Sequence, residues 1–155
     1  MKKILLFFVP ALLLFHPFLE GQTYEVASLD HNLVLTVSLQ DSITWSVSCK
    51  KKTVIGASTI SMTLDKQVLG DHPKVLAGTV TEHRGEITAT IPNKDRRIAD
   101  EYKALTLCFE GRYGLEFRVY NQGVAYRFVT SFDGMVNVTD ERMDLSFPAR
   151  SISWF

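Results

Sequence analysis

The sequence predicts an all-β chain built as an antiparallel sandwich, and three observations predict it. Apolar residues alternate with polar ones over short runs from Gln22 onward; clusters of Gly, Asp, Asn and Lys separate those runs; and no segment keeps a helical period over a window of about eleven residues. A strand points successive side chains to opposite faces, so this alternation describes strands with one buried and one solvated side.

The elements follow in order. Leu33, Leu35, Val37 and Leu39 form the first clear alternation, Asp41-Ser42 turns the chain, and Ile43, Trp45, Val47 and Cys49 repeat the pattern. Lys50-Lys51-Lys52 reads as a solvated turn leading into residues 53–55, which makes an antiparallel meander. Short strands are expected at residues 61–64, 75–76, 79–81, 85–91 and 104–109, and a last one at 145–147. Seven of the ten residues from Lys94 to Lys103 are charged, with mixed signs, so this segment is expected to be a solvated loop or a single helical turn. Ile98 and Tyr102 lie among those charges, which is what a docking segment would need.

The most informative stretch runs from Leu115 to Phe128. Pairing Val119 with Val124 places Leu115, Phe117, Val119, Val124, Tyr126 and Phe128 on one face, and Glu116, Arg118, Tyr120, Ala125 and Arg127 on the other. A slip of one residue would bury Arg127 among Leu and Phe. This register sets Glu116 opposite Arg127 and predicts a loop from Tyr120 to Gly123, with Asn121-Gln122 as a type I turn and Gly123 in the left-handed conformation.

Lys2-Lys3, an apolar run from Ile4 to Phe15 and the polar boundary after Gly21 read as a secretory signal peptide over residues 1–21. Its apolar core is too short to span a bilayer, and no later run is long enough. Removing it leaves 15 basic against 16 acidic residues, a balance that gives no electrostatic reason to expect nucleic acid or a membrane surface as partner. The remaining 134 residues are expected to form one domain. Export would place Cys49 and Cys108 in an oxidising compartment, where they could pair; each also ends or interrupts an apolar alternation, which favours two half-buried small side chains.

Chemistry is sparse. His31, His72 and His83 have no second ligand at metal spacing, and the serine nucleophile elbow, phosphate-binding glycine loop, dinucleotide fingerprint and calcium loop are all missing. Asp140, Glu141 and Asp144 read as a surface loop rather than paired catalytic carboxylates, and Asn137-Val138-Thr139 is a glycosylation sequon that matters only in a eukaryotic secretory route. Trp45, Tyr113 and Tyr120 could stack on sugars, although in strands such rings more often pack in the core.

The run Tyr120-Asn121-Gln122-Gly123-Val124-Ala125-Tyr126-Arg127-Phe128 resembles the Tyr-Asn-Asp-Gly-Val-Ala-Phe-Arg-Tyr signature of the N-terminal domain of glycoside hydrolase family 97, secreted α-glucosidases and α-galactosidases. The hairpin at residues 43–55 is similar to that family's early hairpin, and Arg96-Arg97-Ile98-Ala99-Asp100-Glu101-Tyr102 resembles its Arg-rich segment. Glu101, Gln122 and Lys51 depart from it, where the family commonly has His, Asp and Gly. The resemblance implies a β-super-sandwich of the galactose mutarotase type, ahead of a catalytic (β/α)₈ barrel and a small C-terminal β-domain.

On that reading residues 22–155 are an N-terminal sandwich, incomplete at its C-terminal end and poorly soluble alone. No catalytic or metal-binding residue is carried over. Calcium is expected in the full-length parent, as is an α-linked oligosaccharide, and the location is periplasmic in a Gram-negative bacterium. Arg97, Asp100, Tyr102, Tyr120, Asn121, Gly123 and Arg127 are the motif and domain-docking candidates. The alternative is a free-standing secreted sandwich that binds carbohydrate or protein without catalysis.

Overall fold

Strands cover most of the computed structural model, which describes residues 21–65, 67–91, 95–149 and 151–152. The expected signal peptide lies outside them except for Gly21, as do Pro92, Asn93 and Lys94 of the charged segment. The elements are β1 (Gln22–Ala27), β2 (Leu33–Leu39), β3 (Ile43–Cys49), β4 (Lys52–Leu64), β5 (Val68–Leu69), β6 (Val75–Thr88), β7 (Arg97–Phe109), β8 (Tyr113–Tyr120), β9 (Gly123–Thr130) and β10 (Val138–Met143).

Two antiparallel sheets face one another. The first runs β1-β2-β3-β4-β10, with β5 also on β4, and the second runs β6-β7-β8-β9. The meander is as the alternation predicts: Val26, Leu35, Val37, Ile43, Trp45, Val47 and Ile60 point inward from the first sheet, and Leu105, Leu107, Phe109, Leu115, Phe117 and Val119 answer from the second. Each fully buried aliphatic or aromatic side chain here contributes roughly 1.5–3 kcal/mol from desolvation alone. Lys50 and Lys51 take positive φ, 49° and 67°, and turn β3 into β4.

Four local expectations change. The pieces at 53–55 and 61–64 are one strand, β4, and those from 75 to 91 are largely one strand, β6, because a long partner keeps each paired through its polar stretches. The charged segment is not a loop or helical turn from Arg97 on: it is the first half of β7, paired residue by residue with β6 from Arg97↔Thr88 to Lys103↔Glu82. Residues 145–147 form no strand, and instead Val138–Met143, read as surface loop, adds β10 to the edge of β4. Cys49 is half-buried on the inner side of β3, but Cys108 is exposed on β7, opposite Gly114, which has no side chain to cover it.

The second sheet is uneven in length. β8 pairs with β7 only as far as Lys103↔Val119, whereas β6 and β7 stay paired for six further positions. At about 3.4 Å per residue, this two-stranded ribbon extends roughly 20 Å past the β8–β9 turn.

Candidate functional site

The β8–β9 hairpin adopts the predicted register, with Val119↔Val124, Phe117↔Tyr126 and Glu116↔Arg127 as partners. Its connection is tighter than expected. Tyr120 pairs with Gly123, so only Asn121 and Gln122 form the turn, and neither they nor Gly123 takes positive φ. Gly123 is therefore a strand residue, and no left-handed bulge is needed to close the hairpin.

The outward face of this sheet carries the candidate site. Arg118 Nε donates to Glu116 Oε1 at 2.6 Å, and Arg127 donates to Glu116 Oε2 at 2.9 Å, so one carboxylate is held between two guanidinium groups. Its side chain is only 15% exposed. Burial raises the Glu116 pKa, but the bonds from Arg127 and Arg118 outweigh it and hold the carboxyl below its usual range. Glu116 is thus a fixed anion, unsuited to donating a proton. The Arg118 guanidinium also lies over the Tyr102 ring, 4.7 Å from its centroid, and its own pKa is raised by Glu116.

From there the face continues toward β6 as an aromatic row. The Tyr102 and Tyr120 rings are 5.1 Å apart, and His83 lies 4.9 Å from Tyr102. Tyr120 donates its hydroxyl to Asp100 Oδ1 at 3.2 Å, and His83 Nε2 stands 3.4 Å from Asp100 Oδ2. Gly85 makes this possible: a Cβ there would come within 2.8 Å of His83 Nε2. Burial, the largest cause, pushes the Tyr120 hydroxyl pKa up, and the hydrogen bond from Arg118 partly opposes it.

So the structure gathers Asp100, Tyr102 and Tyr120, and links them to Arg127 through Arg118 and Glu116. Arg97 stands apart, 3.4 Å from Glu86, and Asn121 turns the other way to accept the Asp30 N–H. Gly123 has no neighbour within 4 Å of where a Cβ would stand. His83 and the cross-sheet role of Arg118 were missed by sequence reasoning, and the signal for both is the β6–β7–β8 register, invisible until the charged segment is known to be a strand. Trp45 and Tyr113 are not exposed platforms: Trp45 is 5% exposed against Phe117, and Tyr113 stacks on Phe109 at 4.9 Å.

Among the described residues no three His, Cys, Asp or Glu side chains group as a metal site. Over Ala125 the face has an open depression, lined by Glu116, Arg118, Tyr120, Tyr126 and Arg127. A second, larger depression lies beside it on the same face, lined by Thr106, Cys108, Gly114, Glu116, Arg127 and Val129.

The family profile described as glycosyl-hydrolase 97 N-terminal matches residues 26–155. The chain belongs to this family. It is 32% identical over 126 residues to a retaining alpha-galactosidase of Bacteroides thetaiotaomicron, a match that covers 81% of this chain and 19% of that protein. A glycoside hydrolase family 97 enzyme from Pseudoalteromonas sp. strain K8, solved in complex with acarbose, superposes with TM-score 0.70 at 18% identity, over 81% of this chain and 20% of that one. A beta-arabinopyranosidase gives TM-score 0.69 at 24% identity, over 81% and 21%. The chain thus spans about a fifth of the length of the relatives it matches. The likeness to the solved enzymes establishes the fold.

Proposed function

We infer that this chain is the non-catalytic N-terminal sandwich of a secreted α-glycoside hydrolase, and that it braces a catalytic (β/α)₈ barrel and helps to shape its sugar-binding cleft. The observation that carries this is the family match over residues 26–155, combined with relatives that are glycosidases and continue for about four-fifths of their length beyond the matched region. The geometry is consistent with support rather than chemistry. Glu116 is locked between two arginines, and Asp100 is occupied by Tyr120 and His83.

Catalytic carboxylates would come from the barrel, and their separation would set the stereochemical outcome. A calcium ion is also proposed for the parent, and among the described residues no three His, Cys, Asp or Glu side chains come together to hold one on their own. Residues 1–21 would direct export to the periplasm and be removed there.

The test is direct. The reading frame should continue past Phe155 into a barrel, and the full-length product should hydrolyse p-nitrophenyl α-galactoside or α-glucoside, while residues 22–155 alone should not. A stop codon at that point, together with affinity of the short chain for maltooligosaccharides or galactosides, would replace this reading with a free-standing binding module.

A further inference from the structure

We propose that the ribbon at the far end of β6 and β7 is a docking arm whose outward face is covered by the catalytic domain of the same polypeptide. This rests on the proposed function, since it is that reading which supplies the domain.

The ribbon is amphipathic in a way that a free one would not be. Strand alternation puts His83, Ile87, Ile98 and Tyr102 on one face, and Ile87 and Ile98 are direct cross-strand partners. They are 51% and 49% exposed. The opposite face carries Glu82, Arg84, Glu86, Arg97, Glu101 and Lys103. Here Arg84 meets Glu82 at 2.8 Å and Arg97 meets Glu86 at 3.4 Å. That face is finished for water; the other is not.

A two-stranded ribbon is marginal on its own in water, and three strands or a packed face are needed for stability. Here the first sheet does not cover it, since residues on both faces are exposed from Glu82 to Gly85's neighbours and on to Thr88. The apolar stripe does not stop at the isoleucines. It continues through Tyr102 to Tyr120 on β8, so one surface passes from the arm onto the body of the sheet. Asp100 within the stripe accepts the Tyr120 hydroxyl and stands 3.4 Å from His83, so a covering surface would meet a carboxylate that already has neighbours within the sheet. Large aromatics with a stacked arginine are the composition of an interface centre.

The occupant follows from the lengths. The matched region is 19% of the relative's chain, so a body about four times larger is tethered to this sandwich at every concentration, and a tethered partner outcompetes a free one.

The experiment uses the full-length chain. Hydroxyl-radical footprinting should find Ile87, Ile98 and Tyr102 oxidised as slowly as the core residue Leu107. In calorimetry, the single cooperative transition should split in Ile87→Asp/Ile98→Asp, while Glu86→Lys/Arg97→Glu on the opposite face leaves it intact. Fast oxidation of the isoleucines in the unmutated chain, or a double variant that melts like the opposite-face control, overturns the proposal. Protection that disappears on dilution overturns it too, because the cover is then a second copy. Glycosidase activity with exposed isoleucines would leave the proposed function standing and sink the arm; protected isoleucines in a full-length chain that hydrolyses neither substrate would keep the arm and sink the proposed activity.

Discussion

The side-chain oxygen of Asn121 accepts the backbone N–H of Asp30 at 3.0 Å, across 91 positions of sequence. It ties the β8–β9 turn to the β1–β2 loop, and so joins the two sheets at one end. The loop it grips is hydrogen-bonded within itself: Asp30 accepts from the Ser28 hydroxyl at 2.6 Å and from the Asn32 N–H at 3.0 Å, and Ser28 is itself wholly buried. Asn121→Ala is expected to destabilise the domain by about 1 kcal/mol, the ordinary net value of one hydrogen bond. Asn121→Asp, which keeps the acceptor, should cost less. Urea denaturation of both variants checks the order.

The Glu116 clamp predicts acid sensitivity. Its carboxyl pKa is depressed in the folded state, so its contribution is present above the ordinary value of 4.5 and is lost as pH falls through the folded pKa. Glu116→Gln should lower stability at neutral pH by about 1 kcal/mol and flatten the decline on the acid side. Arg127 is 59% exposed, so Arg127→Ala should have the smaller effect. Melting temperatures between neutral and acidic pH separate these outcomes.

At the other extreme, Tyr126 donates to Glu141 at 2.9 Å from β9 to β10, and burial first, then Glu141, pushes its pKa up to about 12. A raised pKa gives stability that is complete below the unfolded value of 10 and lost as pH rises through the folded one. Tyr126→Phe should therefore show a shallower loss of stability on the alkaline side. An unchanged slope would mean that neither the burial of Tyr126 nor its contact with Glu141 persists in solution.

Gly70 has a φ of +92°, and a Cβ there would stand 2.9 Å from the Ile60 carbonyl oxygen. Gly70→Ala is expected to cost on the order of 1–3 kcal/mol through backbone strain. It should also disturb the bond between the Gly70 N–H and Tyr113, visible as an increased amide exchange rate.

Cys49 faces inward from the first sheet and Cys108 outward from the second, and both are free thiols. Two thiols should titrate in denaturant, with Cys108 reacting first in the folded chain. A non-reducing gel that shows an internal disulfide would contradict this placement.

Much of this fold was legible because its strands have one wet face. The alternation of Leu33 to Leu39 and of Ile43 to Cys49 fixed their inward sides, and the aversion of Arg127 to a hydrophobic environment fixed the register of the β8–β9 hairpin. The segment from Arg97 to Lys103 was not legible, because Asp100 interrupts the alternation between Ile98 and Tyr102 and charges fill the other face, so that only its partner β6 shows it to be a strand. β10 was not legible either: every residue from Val138 to Met143 is exposed. The candidate site shared that fate. Asp100 and Tyr102 could be named from their motif, but their meeting with Tyr120 and Arg118 depends on a strand pairing that no local pattern encodes.

The edge position of β10 also bears on the order in which the molecule assembles. Its partner on β4 is fixed early in the chain, yet Val138–Met143 is made only after all four strands of the second sheet. Loop closure over such a separation is slow relative to hairpin formation, so β1 to β4 and β6 to β9 should each form before β10 arrives. During that interval the outer edge of β4 offers unpaired backbone groups to any passing strand. The strand that closes this edge is thus made after every other strand of the sandwich, and each molecule must complete itself before it meets another.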